Sequence, residues 1–343
     1  MKWFKWFLFP LYLIFWLITN VRNSFYELGW LKSSAFDLPI IGVGNITAGG
    51  TGKTPHTSYI ASLLEDKFNI AILSKGYGRK SKDFQYVELN SNVIQVGDEP
   101  LQTKQNFPKQ IVAVDHKRVN GVLKIIEENP ETSVVILDDA YQHRSIKIGY
   151  NILLVNYNKP IYKDHLLPVG LLRESKKAIE RADCVIVTKC PGSLNVKESE
   201  EIQKKLNFNG SVFFSSIIYG DIISLNDENN SINYTDFNNA LVVTGIADAT
   251  PLINHLSSKS ISQKHLSFSD HYFYQEKDIK HIIQIFNTLE DKSIIITTEK
   301  DAQKLKKYND FNQLPIYYLK VKVDFLWNKD KFDKKITNYV RDN

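Results

Sequence analysis

The 343-residue sequence holds only two cysteines, Cys184 and Cys190, and no CxxC pair. Cys184 opens the apolar run "CVIVT", which reads as a strand, so neither a disulfide framework nor a structural zinc site is expected. A reducing compartment fits this usage. The chain also lacks any dense Lys/Arg run interleaved with aromatics, and nucleic acid is therefore not an expected partner. Internal repeats and extended low-complexity segments are absent too, which excludes solenoids and arrays. Charge of one sign is in short supply: 43 Lys and Arg against 38 Asp and Glu leave a net +5. That excess suits an anionic membrane surface or a phosphate-rich ligand without requiring either.

No apolar run is long enough to span a bilayer without help. From Trp6 to Ile18 every residue is apolar, aromatic or proline, with Lys2 and Lys5 before the run and Arg22 after it. As a helix this run covers roughly 20 Å, short of the roughly 30 Å of a hydrocarbon core. Trp3, Trp6, Trp16 and Trp30 suit the interfacial zone, where aromatic rings settle. Three readings stand: a membrane-lying or inserted anchor, a buried core helix, or a secretory signal. The residues that follow, "TNVRNSFYELGW", offer no small-x-small cleavage site, which weighs against the signal.

What is abundant is strand–helix alternation. "LPIIGVGN", "NIAILSKGYG", "QIVAV", "SVVILDD", "NILLVN" and "DCVIVTK" read as short buried strands, with helical stretches such as "KRVNGVLKIIEE" between several of them. The text turns polar and irregular near residues 215–235, and a second α/β set follows, from "ALVVTGIAD" to "LPIYYLKVKVDF". The expected fold is α/β: a P-loop NTPase-like parallel sheet core, a second, smaller α/β lobe and an N-terminal hydrophobic helix. The expected boundaries are 1–30 for the helix, 31–215 for the core, 216–235 for a linker and 236–343 for the C-terminal lobe.

The stretch "GNITAGGTGKTP", residues 44–55, lies between a strand and a helix. Its Gly52, Lys53 and Thr54 complete a phosphate-binding loop, in which backbone N–H groups cradle an anion, the Lys reaches the β/γ-phosphates and the Thr ligates Mg²⁺. Thr47 stands where the usual pattern has its first glycine, and Gly49, Gly50 and Thr51 complete the turn. Such a loop needs an acid at the end of a neighbouring strand, and "SVVILDD" supplies Asp138 and Asp139. The plainer reading is that these aspartates cap a turn.

Among nucleotide-binding classes, guanine specificity has no support, because Thr188-Lys189-Cys190-Pro191 lacks the required Asp and "TTEKD" has the wrong spacing. Partitioning ATPases of the ParA/MinD type place a second lysine where this chain has Ala48. A membrane-tethered ATPase of that kind is the alternative to a kinase.

Seven motifs in order discriminate further: "GNITAGGTGKTP", "LSKGYGRK", "GDEP", "LDDAYQHR", "LLPVGLLRE", "FSDHYFY" and "TTEKDAQKL". Together they resemble the tetraacyldisaccharide 4′-kinase family, from about Pro39 to about Leu305, with Lys75, Ala140-Tyr141 and Ser175 as local departures. The resemblance implies an ATP- and Mg²⁺-dependent lipid kinase that phosphorylates the lipid A disaccharide precursor. It implies Asp98 as catalytic base with His271 as its partner, and Lys53 on the phosphates. Gly49, Gly50, Thr51, Gly52, Lys53, Thr54 and Arg173 would bind ATP. Thr54, Asp138, Asp139, Glu99 and Glu174 would organise the metal or substrate. Read without the resemblance, Asp98 is a helix cap ahead of Pro100, and Arg173-Glu174 a surface ion pair. A glycolipid substrate, a membrane surface and a monomer are the expected partners and state, with the site on the cytoplasmic face of the inner membrane.

Overall fold

A computed structural model describes residues 8–227, 229–290 and 292–343. Strands β1 (Ile40–Gly44), β2 (Ile70–Ser74), β3 (Gln85–Tyr86), β4 (Ile111–Val114), β5 (Val134–Asp138), β6 (Tyr150–Asn156) and β7 (Cys184–Thr188) build the first half. Strand β8 (Ser211–Ser224) leads to β9 (Ser231–Ile232), β10 (Asn239–Thr244), β11 (Ser262–Ser267), β12 (Ser293–Thr298) and β13 (Ile316–Phe325). They form one sheet in the order β11-β10-β12-β13-β8-β7-β6-β1-β5-β2-β4-β3, with β9 against β8. Every residue of β1, β5 and β7 is buried, as expected for parallel strands covered on both faces, which is why they read as unbroken apolar runs.

The predicted linker differs from what forms. Residues 216–224 are the second part of the 14-residue strand β8, not irregular chain. Its first part pairs parallel with β7 and its second part antiparallel with β13, so one strand belongs to both halves of the sheet. The polar residues that obscured it lie where β8 twists out between the halves, with Tyr219 and Asp221 only partly covered. The predicted C-terminal boundary is also crossed. The last helix, Lys329–Arg341, buries Phe332, Ile336 and Val340 at helical spacing against the first half, where Phe332 meets Phe213 and Tyr59.

The N-terminal helix runs from Phe9 to Glu27 and buries none of its residues fully. Residues 1–7, including Trp3 and the start of the apolar run, lie outside the described residues. Tyr12 and Phe15 pack on the first half, while Leu13, Ile14, Leu17 and Ile18 are exposed, Ile18 by 60%. The helix is thus not the buried core element that one reading expected. Among the described residues no helix is long and apolar enough to cross a membrane.

Candidate active site

Strands β1 and β5 are parallel neighbours, with Val43 opposite Asp138, so the glycine loop and the two aspartates leave the sheet side by side. This is the carboxyl edge, where open α/β sheets bind ligands. Gly52 takes a left-handed conformation (φ +85°) that only glycine adopts readily, and the helix Lys53–Leu64 starts from it. Thr47, the departure from the usual loop pattern, forms a β-bridge with Leu172 and is buried there, a role for which no glycine is needed. Side chains hold the loop from outside. Asn45 Nδ2 donates to Thr51 Oγ1 at 2.7 Å, Gln142 Nε2 to the Asn45 carbonyl at 2.7 Å, and Thr188 Oγ1 to the Thr51 carbonyl at 2.8 Å. The cradle is preorganised.

Three of the expected residues converge at its mouth. Lys53 Nζ lies 3.6 Å from Asp139 Oδ1, and Arg173 Nη1 lies 3.8 Å from Asp139 Oδ2. Asp138 is buried behind them and accepts from Thr57 Oγ1 at 3.1 Å. Burial, with the nearby charges of Glu99 and Asp139, pushes its carboxyl up to about 7 against the pull of Lys53 and the Thr57 bond. Asp139 Oδ1 is buried with no hydrogen-bond partner. A cation fits such an arrangement, since it would relieve the crowded carboxylates and satisfy the orphan oxygen. Among the described residues no group of three or more His, Cys, Asp or Glu side chains is gathered to hold a metal unaided. Mg²⁺ accommodates that, for it commonly uses one or two protein ligands and takes the rest from phosphates and water. Asp138, Asp139 and Thr54, in the first turn of the loop helix, are the fitting set.

Glu174 has partners that the sequence did not suggest. Its Oε2 accepts from Arg181 Nη1 and from Asn23 Nδ2, both at 2.9 Å. This carboxylate fastens the N-terminal helix to the core, while its Oε1 is buried without a hydrogen-bond partner. Arg144 and Arg22 reinforce that seam, donating to the carbonyls of Asn23 and Gln142 respectively, the first from the core and the second from the helix. Glu99 is paired as well, with Lys300 Nζ at 3.2 Å.

Asp98 opens the helix Asp98–Asn106 and is 3% exposed. His271 Nδ1 meets its two oxygens at 3.2 and 3.1 Å, bringing together residues 173 positions apart. Lys304 Nζ lies 3.0 Å from Asp98 Oδ2, and Lys300 Nζ 3.0 Å from His271 Nε2. Burial alone would raise Asp98, but the His271 bond and the charges of Lys300 and Lys304 outweigh it and hold the carboxyl well below its usual range. Because Lys300 can only donate, His271 Nε2 accepts and Nδ1 carries the proton toward Asp98. The Tyr77 ring, from "LSKGYGRK", lies 4.7 Å from the imidazole.

Lys300 and Lys304 had no predicted role. Their signal was present, an i,i+4 pair of cations in "TTEKDAQKL", yet nothing in the text said which residue that face would meet. Lys189 was also missed. It is left-handed (φ +58°) and its Nζ lies beside the loop, 3.8 Å from where a Cβ on Gly50 would stand.

A sheet-edge phosphate loop, paired aspartates, and a first-half carboxylate met by an imidazole from the second half define the site of a P-loop phosphotransferase. The particular family is then plain: residues 4–341 match the model for tetraacyldisaccharide-1-P 4′-kinases, and the chain belongs to that family. It is 41% identical over 338 residues to the tetraacyldisaccharide 4′-kinase of Flavobacterium johnsoniae, spanning 98% of this chain and 97% of that one. It is 40% identical over 351 residues to the enzyme of the same name from Phocaeicola vulgatus, spanning 99% and 96%. The crystal structure of LpxK from Aquifex aeolicus in complex with ATP superposes with a TM-score of 0.77 at 30% identity, covering 98% of this chain and 99% of that one.

Proposed function

We propose that the protein transfers the γ-phosphate of ATP to the 4′-hydroxyl of a tetraacyldisaccharide 1-phosphate, the lipid A precursor. The observation that carries this reading is the Asp98–His271 pair beside a preorganised phosphate loop, in a chain of this family. A sugar hydroxyl is a poor nucleophile, so transfer needs alignment, charge neutralisation and a proton acceptor. Backbone amides of residues 49–54 and the Lys53 ammonium grip the triphosphate. Bound Mg²⁺ would neutralise the β/γ-phosphate charge, held by Asp138, Asp139 and Thr54. Arg173 balances charge at the same mouth. The 4′-oxygen forms its bond to the γ-phosphorus as the β–γ bridge breaks and ADP leaves, and the hydroxyl proton passes to Asp98. His271 Nδ1 and Lys304 Nζ hold that carboxylate in place.

The N-terminal helix supports a membrane role. Its exposed apolar face suits the bilayer interface, while its other face is bound to the core through Glu174 and Arg144. We place the enzyme on the cytoplasmic face of the inner membrane, lying on it rather than crossing it, so that the lipid is phosphorylated without extraction into water. We also read the molecule as two working halves hinged on β8, acting as a monomer. The alternative, a partitioning ATPase, has no observation in its favour: Ala48 still stands where that class needs lysine. The deciding experiment supplies radiolabelled ATP and the disaccharide 1-phosphate in mixed micelles to the wild type, Lys53→Ala and Asp98→Ala. Label at the 4′ oxygen, lost in both variants, is the expected result; ATP hydrolysis or ATP-driven dimerisation without lipid labelling would reject the assignment.

A further inference from the structure

We propose that His56, locked by Ser215, is a positioning residue for the nucleotide's phosphates: it fixes the Gly52–Lys53 peptide so that the Lys53 amide points into the cradle, and it ties that peptide to β8. His56 sits in the first turns of the loop helix and is 1% exposed. Its Nδ1 lies 2.7 Å from the Gly52 carbonyl oxygen and its Nε2 lies 2.9 Å from Ser215 Oγ. A carbonyl only accepts, so Nδ1 carries the proton, and Nε2 accepts from the Ser215 hydroxyl. The His56 backbone N–H donates to the same Gly52 oxygen at 3.2 Å, so two donors from one residue pin that carbonyl.

Within one planar trans peptide the carbonyl and the following N–H point in opposite directions. Holding the Gly52 oxygen along the helix therefore aims the Lys53 N–H outward from the helix start, where an anion is bound. The other end of the clamp is equally fixed. Ser215 is fully buried on β8, and its carbonyl accepts from Cys190 N at 2.9 Å, next to Lys189 at the loop. β8 pairs with strands of both halves, so the clamp ties the phosphate cradle to the strand that joins it to the half carrying His271, Lys300 and Lys304.

This inference rests on the loop being the phosphate site, and the experiment separates the two. In full-length protein, the affinity for a fluorescent ATP analogue and the KM for each substrate are measured in His56→Phe, His56→Asn, Ser215→Ala and Lys53→Ala, with melting temperatures alongside. His56→Phe should raise the KM for ATP about tenfold and Ser215→Ala about threefold, with the KM for the glycolipid unchanged. His56→Asn, whose amide nitrogen can stand in for Nδ1, should recover most of the loss. Should His56→Phe fail to fold, Ser215→Ala still carries the comparison. An unchanged KM for ATP in Ser215→Ala and His56→Phe overturns the proposal. So does a loss that merely tracks melting temperature and is not recovered by Asn. Undiminished analogue binding by Lys53→Ala would instead overturn the phosphate-loop assignment itself.

Discussion

Two buried carboxylates, Asp98 and Asp138, sit at the same edge of the sheet and have opposite surroundings. Asp98 is ringed by His271, Lys304 and, one step away, Lys300, and is held well below its usual range despite burial. Asp138 has one neutral donor, Thr57, two acidic neighbours and the weaker pull of Lys53, and burial pushes it up to about 7. The cations around Asp98 come from the chain itself, contributed by the helix Glu299–Leu305 of the second half. Around Asp138 the cations Lys53 and the buried Arg118, whose Nη2 donates to the Asp138 carbonyl at 3.1 Å, do not offset burial and the acidic neighbours. The contrast teaches which part of the site is complete: the surroundings of Asp98 are finished by folding, whereas burial still outweighs the cations near Asp138.

The sharpest way to break this comparison is to remove Lys53, the lysine that opens the loop helix. Lys53→Ala should lower kcat/KM by roughly 10⁴-fold, since phosphoryl transfer relies almost wholly on positioning and charge. Its melting temperature should hardly change, because Lys53 is bound only at 3.6 Å to a partly exposed Asp139. Asp98→Asn should cost less in rate, roughly 10³-fold, within the usual range for a general base. Here the ATP-analogue affinity should stay while stability falls. The native Asp98 value lies below the unfolded one, so its contribution is present above the unfolded carboxylate range and lost as pH drops through the native value. The variant should therefore melt lower than wild type at pH 7, with the gap closing on acidification; a gap that is constant with pH would show the pairing to be energetically idle.

The legibility of these parts in the sequence follows from how local each signal is. Buried parallel strands show as apolar runs, and the phosphate loop is contiguous, so β1, β5 and the cradle could be read directly. Asp98 and His271 are 173 residues apart, and only the family pattern joined them. Lys300 and Lys304 were visible as a helical pair, but pairing is decided by which face the second half turns toward Asp98. Strand β8 was hidden because a strand bridging two halves is exposed in the middle, and its polar residues read as loop. The Glu174–Asn23 bond was hidden for a related reason: Asn23 belongs to a helix whose packing no local pattern encodes.

A third change tests whether the N-terminal helix is a membrane face or merely a strap. Replacing Leu13, Ile14 and Leu17 together by Ser removes apolar surface on the open side of the helix, where all three are about half exposed. Partition onto anionic vesicles should drop on the order of a hundredfold. Turnover of a short-chain, water-soluble acceptor should be unchanged. Equal partition of variant and wild type would leave the helix as a strap only, fastened through Glu174 and Arg144.

The smallest expected effect is the most particular to the comparison. Asp138→Asn keeps the size of the side chain and removes the buried charge. The native value of Asp138, about 7, lies above the unfolded carboxylate value of 3.8, so the folded state holds a proton that the unfolded state has released. Its contribution to stability is fully present below the unfolded value and is lost as pH rises through about 7. In metal-free buffer at pH 8 the Asn variant should therefore melt higher than wild type, by roughly 3–5 °C, and the two should converge near pH 4. That sign is opposite to the one expected for Asp98→Asn. Saturating Mg²⁺ with an ATP analogue should erase or reverse the advantage, because the ligand then supplies the charge that the fold leaves out. A variant that melts no higher than wild type at pH 8 would mean that Asp138 already has its compensation within the chain, and the contrast between the two carboxylates would fail.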